Sequence, residues 1–279
     1  MVRLFAIEEM GPGLWRIGDP LGDLCYLVEG EREAALIDTM AGFGDLAACV
    51  RGLVGAKPVR VLLTHRHLDH TSGAYWFDEA WVPAGETSCW DSCDTYGEFM
   101  WQHAQEMGTV VSETPYGPRD RTRPATRLVG EGDVFDLGGY TLEAVALPGH
   151  TDGSLGYVCP ELRTLFSGDA VTPIACLCFP ESLPLFTWKE TIEKIRRLSI
   201  DRFLTGHHRH DFTKDDLDGF LAAADFAADD RGYAWHHGFI PDWEGTLHFA
   251  PNGTDDVDSP DFRAVITPGL PVPRKRRRA

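Results

Sequence analysis

Residues 64–70 read Thr64-His65-Arg66-His67-Leu68-Asp69-His70, three imidazoles and a carboxylate within six positions. Directly before them, introduced by Pro58, runs Val59-Arg60-Val61-Leu62-Leu63, an apolar β-rich stretch. A strand ending in so ligand-rich a turn limits the fold severely. The turn has to stand at an edge of a sheet, where other strand ends can bring partners. On a strand end His65 and His67 project to one side, because side chains alternate with period two. Asp69 and His70 lie further round, on the turn into the next helix. One cation cannot easily use all four groups, whereas two cations can. His65 and His67 then serve one, and Asp69 and His70 the other. Imidazole and carboxylate without thiolate suit zinc, manganese or iron and disfavour a closed structural site.

Three later segments repeat the layout of an apolar run, a small residue and a ligand type. They are Leu147-Pro148-Gly149-His150-Thr151, Leu165-Phe166-Ser167-Gly168-Asp169 and Phe203-Leu204-Thr205-Gly206-His207. Singly, a Gly-His is a turn and a Gly-Asp a helix cap. Together with the first motif they describe several strand ends delivering ligands to one sheet edge. In the last run His207 follows Thr205-Gly206 directly and is the expected ligand, with His208 as the alternative and His210 close by. His103, His236, His237 and His248 fit no motif and read as surface or core. His248 lies in a C-terminal segment that could close over the site.

Elsewhere the chain alternates short β-rich runs with helical patterns. Strands are expected at Gly13–Ile17, Leu24–Val28, Ala34–Ile37, Tyr140–Leu147, Ser154–Val158, Thr164–Phe166 and Arg202–Leu204. Helical spacing of apolar residues marks Gly44–Val54, Glu86–Met107, Trp188–Leu198 and Phe212–Ala228, and Pro115–Pro124 reads as loop. Such alternation implies a layered α/β architecture.

The order Asp38, His65-x-His67-x-Asp69-His70, His150, Asp169, His207 resembles the metallo-β-lactamase fold superfamily, over roughly Leu14 to Asp230. The resemblance implies an α/β fold, a four-layer αββα sandwich of two mixed β-sheets flanked by helices, with metals at one edge. It implies a single domain over 1–279, with 230–279 as a C-terminal extension ending in a basic, disordered tail at 271–279. One metal would be held by His65, His67 and His150, and a second by Asp69, His70 and His207. Asp169 would bridge them, and Asp38 would be a structural acid at the metal edge. The implied cofactors are two divalent ions, Zn2+ first, with Mn2+ or Fe2+ as alternatives. Two cations about 3.5–4 Å apart share a hydroxide that exists near neutral pH. The expected enzyme is a binuclear hydrolase attacking a small ester, thioester or lactone, with Asp69 as the catalytic group that orients the nucleophile or relays its proton.

Branches of the superfamily differ in what the motif allows. Asp169 argues against a true β-lactamase, and His67 against flavodiiron chemistry. Motif order is similar to the glyoxalase II branch, without its basic glutathione-binding C-terminal segment. The lactonase branch places a tyrosine after the bridging acid, where this chain has Asp169-Ala170-Val171-Thr172. Two alternatives stay beside the acyl hydrolase: a mononuclear iron persulfide dioxygenase and a phosphodiesterase of the same fold. A third class is a non-catalytic scaffold, which would normally have lost ligands.

Charge narrows the partners to small molecules. Lys and Arg number 26 against 43 Asp and Glu, a net −17, which repels phosphate backbones and disfavours nucleic acid. The one basic block is Arg274 to Arg278. No stretch approaches the ~18 apolar residues of a membrane helix, so no membrane partner is expected. Seven cysteines, an odd number, without a signal-like start fit a reduced cytoplasmic chain. A homodimer is compatible with all of this.

Thr172–Thr187 is expected to set specificity. It is aromatic, proline-rich and cysteine-containing, and Glu181 is its one charged residue. Cys176, Cys178, Phe179 and Phe186 are the candidate substrate contacts there, with Trp90 from the Trp90–Trp101 segment as a second wall.

Overall fold

The computed structural model describes residues 4–238, 240, 243–250, 254 and 256–269. The first sheet takes seven strands in chain order: β1 (Ala6–Gly11), β2 (Leu14–Gly18), β3 (Leu24–Glu29), β4 (Ala34–Ile37), β5 (Val59–Leu62), β6 (Glu79–Pro83) and β7 (Ala125–Val129). Pairing is antiparallel as far as β4 and parallel from β4 to β7. The second sheet contains β8 (Val134–Asp136), β9 (Thr141–Ala146), β10 (Leu155–Cys159) and β11 (Thr164–Gly168). After β11 the chain leaves it for β12 (Ile174–Cys176) and returns with β13 (Arg202–Thr205), giving the order β13-β11-β10-β9-β8.

Alternation of side chains shows how the two sheets stack. On β3, Leu24, Tyr26 and Val28 join a core cluster with Leu142, Tyr157, Phe166 and Leu204 of the second sheet. Cys25 and Leu27, one residue out of phase, face the opposite side with Leu46, Val50 and Val54 of helix α1 (Leu46–Val54). On the second sheet Val158, Leu165 and Phe203 turn outward onto Trp188, Ile192 and Phe220. The result is helix, sheet, sheet, helix. Strands buried on both faces read as continuous apolar runs, which is how β3, β10 and β11 appear.

The remaining helices are α2 (Leu68–Thr71), α3 (Cys89–Glu106), α4 (Gly117–Asp120), α5 (Leu185–Arg197) and α6 (Leu217–Asp229). Asp45 caps α1 by accepting from the Ala48 N–H at 2.8 Å. Helix α5 opens three residues before Trp188, at Leu185, after Pro184. Helix α6 is preceded by a capping box of Thr213 and Asp216 on a 3-10 turn, so its α-helical part begins at Leu217 and not at Phe212.

A third sheet stands outside the expected two. It joins β12 to β14 (Tyr233–His236), β15 (Glu244–Phe249) and β16 (Ala264–Thr267), in the order β12-β16-β15-β14. The segment after Asp169 is therefore not one continuous loop. Three of its residues pair in parallel with β16. The tail at 271–279 lies outside the described residues.

Candidate metal centre

Strand direction brings the ligand types to one edge. β4 and β5 are parallel, so Asp38 and His65 leave the first sheet at the same end. β11 and β13 are parallel, and β9 shares their direction because both it and β11 are antiparallel to β10. His150, Asp169 and His207 thus follow three strand ends on one edge of the second sheet. Backbone bonds join the sheets there: Leu24 N–H to the Gly206 carbonyl at 2.7 Å and Leu155 N–H to that of Thr64 at 2.9 Å. The glycines before the ligands are required by close approach. A Cβ on Gly206 would stand 2.4 Å from the His70 ring and 2.7 Å from Asp169, and one on Gly168, at φ 52°, 2.4 Å from the Thr64 hydroxyl.

Three donor groups converge: His65, His67 and His150; His65, His70 and Asp169; and Asp69, His70 and His207. Each imidazole has an outer nitrogen held by a partner. His70 Nδ1 lies 2.8 Å from Asp38 Oδ2, His150 Nδ1 is 2.7 Å from the Cys176 carbonyl, and His67 Nε2 is 2.9 Å from Glu181 Oε1. His207 Nδ1 is 3.2 Å from Asp23 Oδ1. His65 Nδ1 meets the Thr64 hydroxyl at 3.0 Å, and that hydroxyl donates to Asp38. Those partners are acceptors, so each outer nitrogen is the N–H and each inner one carries a lone pair when the ring is neutral.

The inner atoms test whether a cation fits. His67 Nδ1 and His150 Nε2 stand 2.9 Å apart, and His70 Nε2 and His207 Nε2 3.3 Å apart. Lone pairs facing at such separations repel unless a proton or a cation lies between them. His65 Nε2 and Asp169 Oδ1 are buried with no hydrogen-bond partner in the protein, a cost that a cation would relieve. Nitrogen and carboxylate donors without thiolate suit Zn2+, Mn2+ or Fe2+. The residues present fit metal ions.

Charge follows the same division. Burial lowers His65, with His70 and His67 adding to it, and lowers His150 to about 4. Burial also opposes charge on His70 and His207. There the neighbouring carboxylates, Asp169 foremost, outweigh it and raise both well above the usual imidazole value. Burial raises Asp69, yet His70, His207 and His67 hold it below the ordinary carboxylate range. Asp169 is lowered further, burial again being overcome by His207 and His70.

Beside the donors opens a cavity of about 740 Å³ lined by Met100 of α3, Met107 just after it, Phe179, Trp235, Ile240 and Trp243 among others. Of the five expected contacts, Cys176 and Phe179 line it. The other three do not. Trp90 is buried against Tyr75 in the core beneath α3, its indole N–H donating to Thr126. Phe186, in the first turn of α5, is 64 % exposed. Cys178 lies two residues from Cys176, with its Cβ toward Gly245 in the third sheet. His208 lines the cavity, while His207 is the one whose Nε2 lies 3.1 Å from Asp169. His248 is buried on β15 between Asp230 and Thr267, away from the cavity.

Sequence reasoning passed over several residues. Asp23 orients His207, and its signal was a second acid after Asp19 between two strands. Glu181 orients His67, and its signal was a lone charge in an apolar segment. Glu86 is fully buried, pairs with Arg66 and accepts from the Thr151 hydroxyl at 2.6 Å. Nothing in spacing marked Trp235, Ile240 and Trp243, which reach the cavity from the third-sheet region.

A sequence model of the metallo-beta-lactamase superfamily matches residues 18–207. With seven ligand-type residues at one edge of an αββα sandwich, the chain belongs to that superfamily. Among its relatives is the acyl-coenzyme A thioesterase MBLAC2 of Gallus gallus, 32 % identical over 186 residues, 60 % of this chain and 66 % of that protein. The chain thus spans just under two thirds of that relative's length. A hydroxyacylglutathione hydrolase of Brucella anthropi is 28 % identical over 150 residues, 54 % of this chain and 47 % of that protein. A solved metallo-beta-lactamase family protein from Thermus thermophilus shares the fold, with a TM-score of 0.51 at 20 % identity over 78 % of each chain. Among the described residues no helix is long and apolar enough to cross a membrane.

Proposed function

We propose that the chain is a binuclear metal-dependent hydrolase of thioesters with an apolar acyl group. The observation that carries it is the convergence of the His65, His67 and His150 donors and the Asp69, His70 and His207 donors around Asp169, at the floor of an apolar cavity. Two relatives named as thioester hydrolases, one for acyl-coenzyme A and one for hydroxyacylglutathione, support that acyl class. Divalent ions, Zn2+ first, supply Lewis acidity there and make water acidic enough to ionise near neutral pH.

What the side chains contribute follows from their placement. Asp69, kept ionised by His70 and His207, accepts a hydrogen bond from the attacking water and takes its proton at the carboxylate. The water oxygen bonds to the acyl carbon, the C–S bond breaks, and the sulfur leaves as thiolate. The proton passes from Asp69 to that sulfur or to solvent. Asp169 balances the positive charge gathered by the donors. The apolar walls hold the acyl group and exclude water, which strengthens the electrostatics of the site. A persulfide dioxygenase would leave the Asp69, His70 and His207 group without a task. A phosphodiesterase would set a phosphate in a cavity that also carries Asp23 and Asp258. Small-molecule substrates, and neither nucleic acid nor membrane, are the proposed partners.

The test is metal content of purified protein together with hydrolysis of acyl-coenzyme A and acylglutathione thioesters, oxygen esters, lactones and phosphodiesters. Two equivalents of metal, thioester turnover lost to chelation and restored by Zn2+ or Mn2+, and loss of turnover in folded Asp169→Asn are expected. Oxygen uptake with one iron per chain, or activity that survives complete metal removal, would overturn the reading.

A further inference from the structure

The turn Phe179–Leu183 sits against both His67 and His150. It closes on itself, with the Ser182 N–H donating to the Phe179 carbonyl at 3.0 Å and the Phe179 N–H to the Ser182 hydroxyl oxygen at 3.2 Å. It is then fastened to the His150 loop. The Ser182 hydroxyl donates to the His150 carbonyl at 2.7 Å, and the Leu183 N–H to that of Gly149 at 2.8 Å. The Phe179 ring lies edge-on to His67 and His150, with centroids 4.7 and 5.6 Å away. From this braced turn Glu181 reaches His67 Nε2 at 2.9 Å. The nearby Arg66 is engaged elsewhere, on Glu86 and Asp152.

On this basis, and resting on the metal-centre reading above, we propose that Glu181 is a positioning residue that fixes the tautomer and ring orientation of His67 and so sets the metal affinity of the His65, His67 and His150 group. An ionised carboxylate only accepts hydrogen bonds, so its partner nitrogen has to be the N–H. With Nε2 committed, Nδ1 keeps its lone pair, aimed at His150 Nε2 2.9 Å away. Rotating the ring would break the Glu181 bond and take Nδ1 away from the other donors. Outer carboxylates of this kind typically contribute 10–100-fold in metal affinity, on the order of other ligand-orienting partners. Because Glu181 and Phe179 share one turn, the same backbone holds the donor geometry and a wall of the cavity.

The experiment compares the full-length wild type with Glu181→Ala, Glu181→Gln and Glu181→Asp. Imidazole 15N shifts of the metal-free protein read the tautomer of His67, and competition with a chromogenic chelator reads Zn2+ affinity. In wild type, His67 is expected in the Nε2–H form. Glu181→Ala should give a mixture of tautomers and weaken Zn2+ binding by roughly 10–100-fold. Glu181→Gln, whose amide oxygen still accepts, should keep the tautomer and lose less, and Glu181→Asp, with shorter reach, should fall between. An unchanged tautomer with wild-type Zn2+ affinity in Glu181→Ala overturns the proposal. So does equal loss in the Ala and Gln variants, because Gln keeps an accepting oxygen and the loss would then follow the charge of Glu181 and not its hydrogen bond to His67. A wild type that binds no Zn2+ overturns the metal-centre reading and the affinity claim with it, while the tautomer measurement in the metal-free variants still decides whether Glu181 orients His67.

Discussion

Asp38 holds His70 from a strained backbone: its Oδ2 lies 2.8 Å from His70 Nδ1, and its own φ is 60°. The same carboxylate accepts from the Thr64 N–H at 2.8 Å and from the Thr64 hydroxyl. One acid at the end of β4 thereby fixes the end of β5 and a histidine of α2. Left-handed backbone at a non-glycine residue persists only where the surroundings over-determine it, and here three hydrogen bonds do so.

That arrangement predicts an unusual ranking of variants. Asp38→Gly takes the positive φ without strain and loses only the hydrogen bonds, leaving buried donors unpaired at a cost on the order of 3 kcal/mol. Asp38→Ala loses the same bonds and adds backbone strain, so it should be less stable than Asp38→Gly. Denaturant unfolding of the metal-free proteins measures this. Equal stability of wild type and Asp38→Gly would show that the carboxylate does not organise the edge.

Arg66 and Glu86 provide a second prediction. Arg66 stands between His65 and His67, and Glu86 also binds the Thr151 hydroxyl and the Gly153 N–H beside His150. The pair therefore joins the loops that carry the three donors of one group. Glu86→Ala takes the buried carboxylate from the guanidinium, which keeps Asp152 and the Gly85 carbonyl, and removes the acceptor of the Gly153 N–H and one partner of the Thr151 hydroxyl. A loss of about 3 kcal/mol is expected, the low end for breaking a buried pair because Arg66 keeps 17 % exposure. Arg66→Met with Glu86→Leu should recover part of it. A thermal midpoint for Glu86→Ala matching wild type would refute the brace.

The residues that converge at the candidate site were legible in the sequence because each of the four motifs follows a short apolar strand and a small residue, and one sheet edge is the common destination of such runs. Short, nearly continuous apolar runs likewise made β3, β5, β10 and β11 readable. The third sheet was not. Its strands are partly exposed, with Tyr233 and Phe249 open to solvent, and β12 is only three residues long. The pairing of β12 with β16 joins residues some 90 positions apart, such as Ile174 with Ala264, which no local pattern reports. Phe186 misled for a related reason. Its helix begins at Leu185, which turns its ring to solvent and away from the cavity. Outer partners such as Glu181 and Asp23 carry no spacing rule at all, since their only requirement is to reach one ring nitrogen.

Acidification should separate the two donor groups. Burial and the neighbouring imidazoles depress His65, and His150 to about 4, so these two stay neutral and able to bind metal as pH falls toward that value. His70 and His207 are raised, burial being outweighed by Asp169 and the other carboxylates, so in the metal-free chain they keep protons at neutral pH. A cation has to displace those protons, and its affinity there should rise with pH. Calorimetric Zn2+ titrations from about pH 5 to 8, in buffers of different ionisation enthalpy, measure both phases. The Asp69, His70 and His207 phase should weaken first on acidification and release protons. Identical pH dependence of the two phases would contradict this division.

Phe179 and Phe186 lie seven positions apart in a segment that is mostly apolar, yet they should behave oppositely. Phe179 is buried at the cavity wall, with its ring 4.7 Å from His67 and 4.6 Å from Trp243. Truncating it removes apolar contact with an acyl group while leaving every metal donor in place. Phe179→Ala is expected to lower kcat/KM unequally along a series of thioesters of increasing acyl length, by roughly 10–200-fold for the longest, the range of apolar pocket contacts. Phe186, 64 % exposed on the first turn of α5, should tolerate alanine with no change in that series. Zn2+ content should match wild type in both. Equal loss on every acyl length in Phe179→Ala would assign its ring to packing the histidines, and a chain-length effect in Phe186→Ala would place the acyl group outside that cavity.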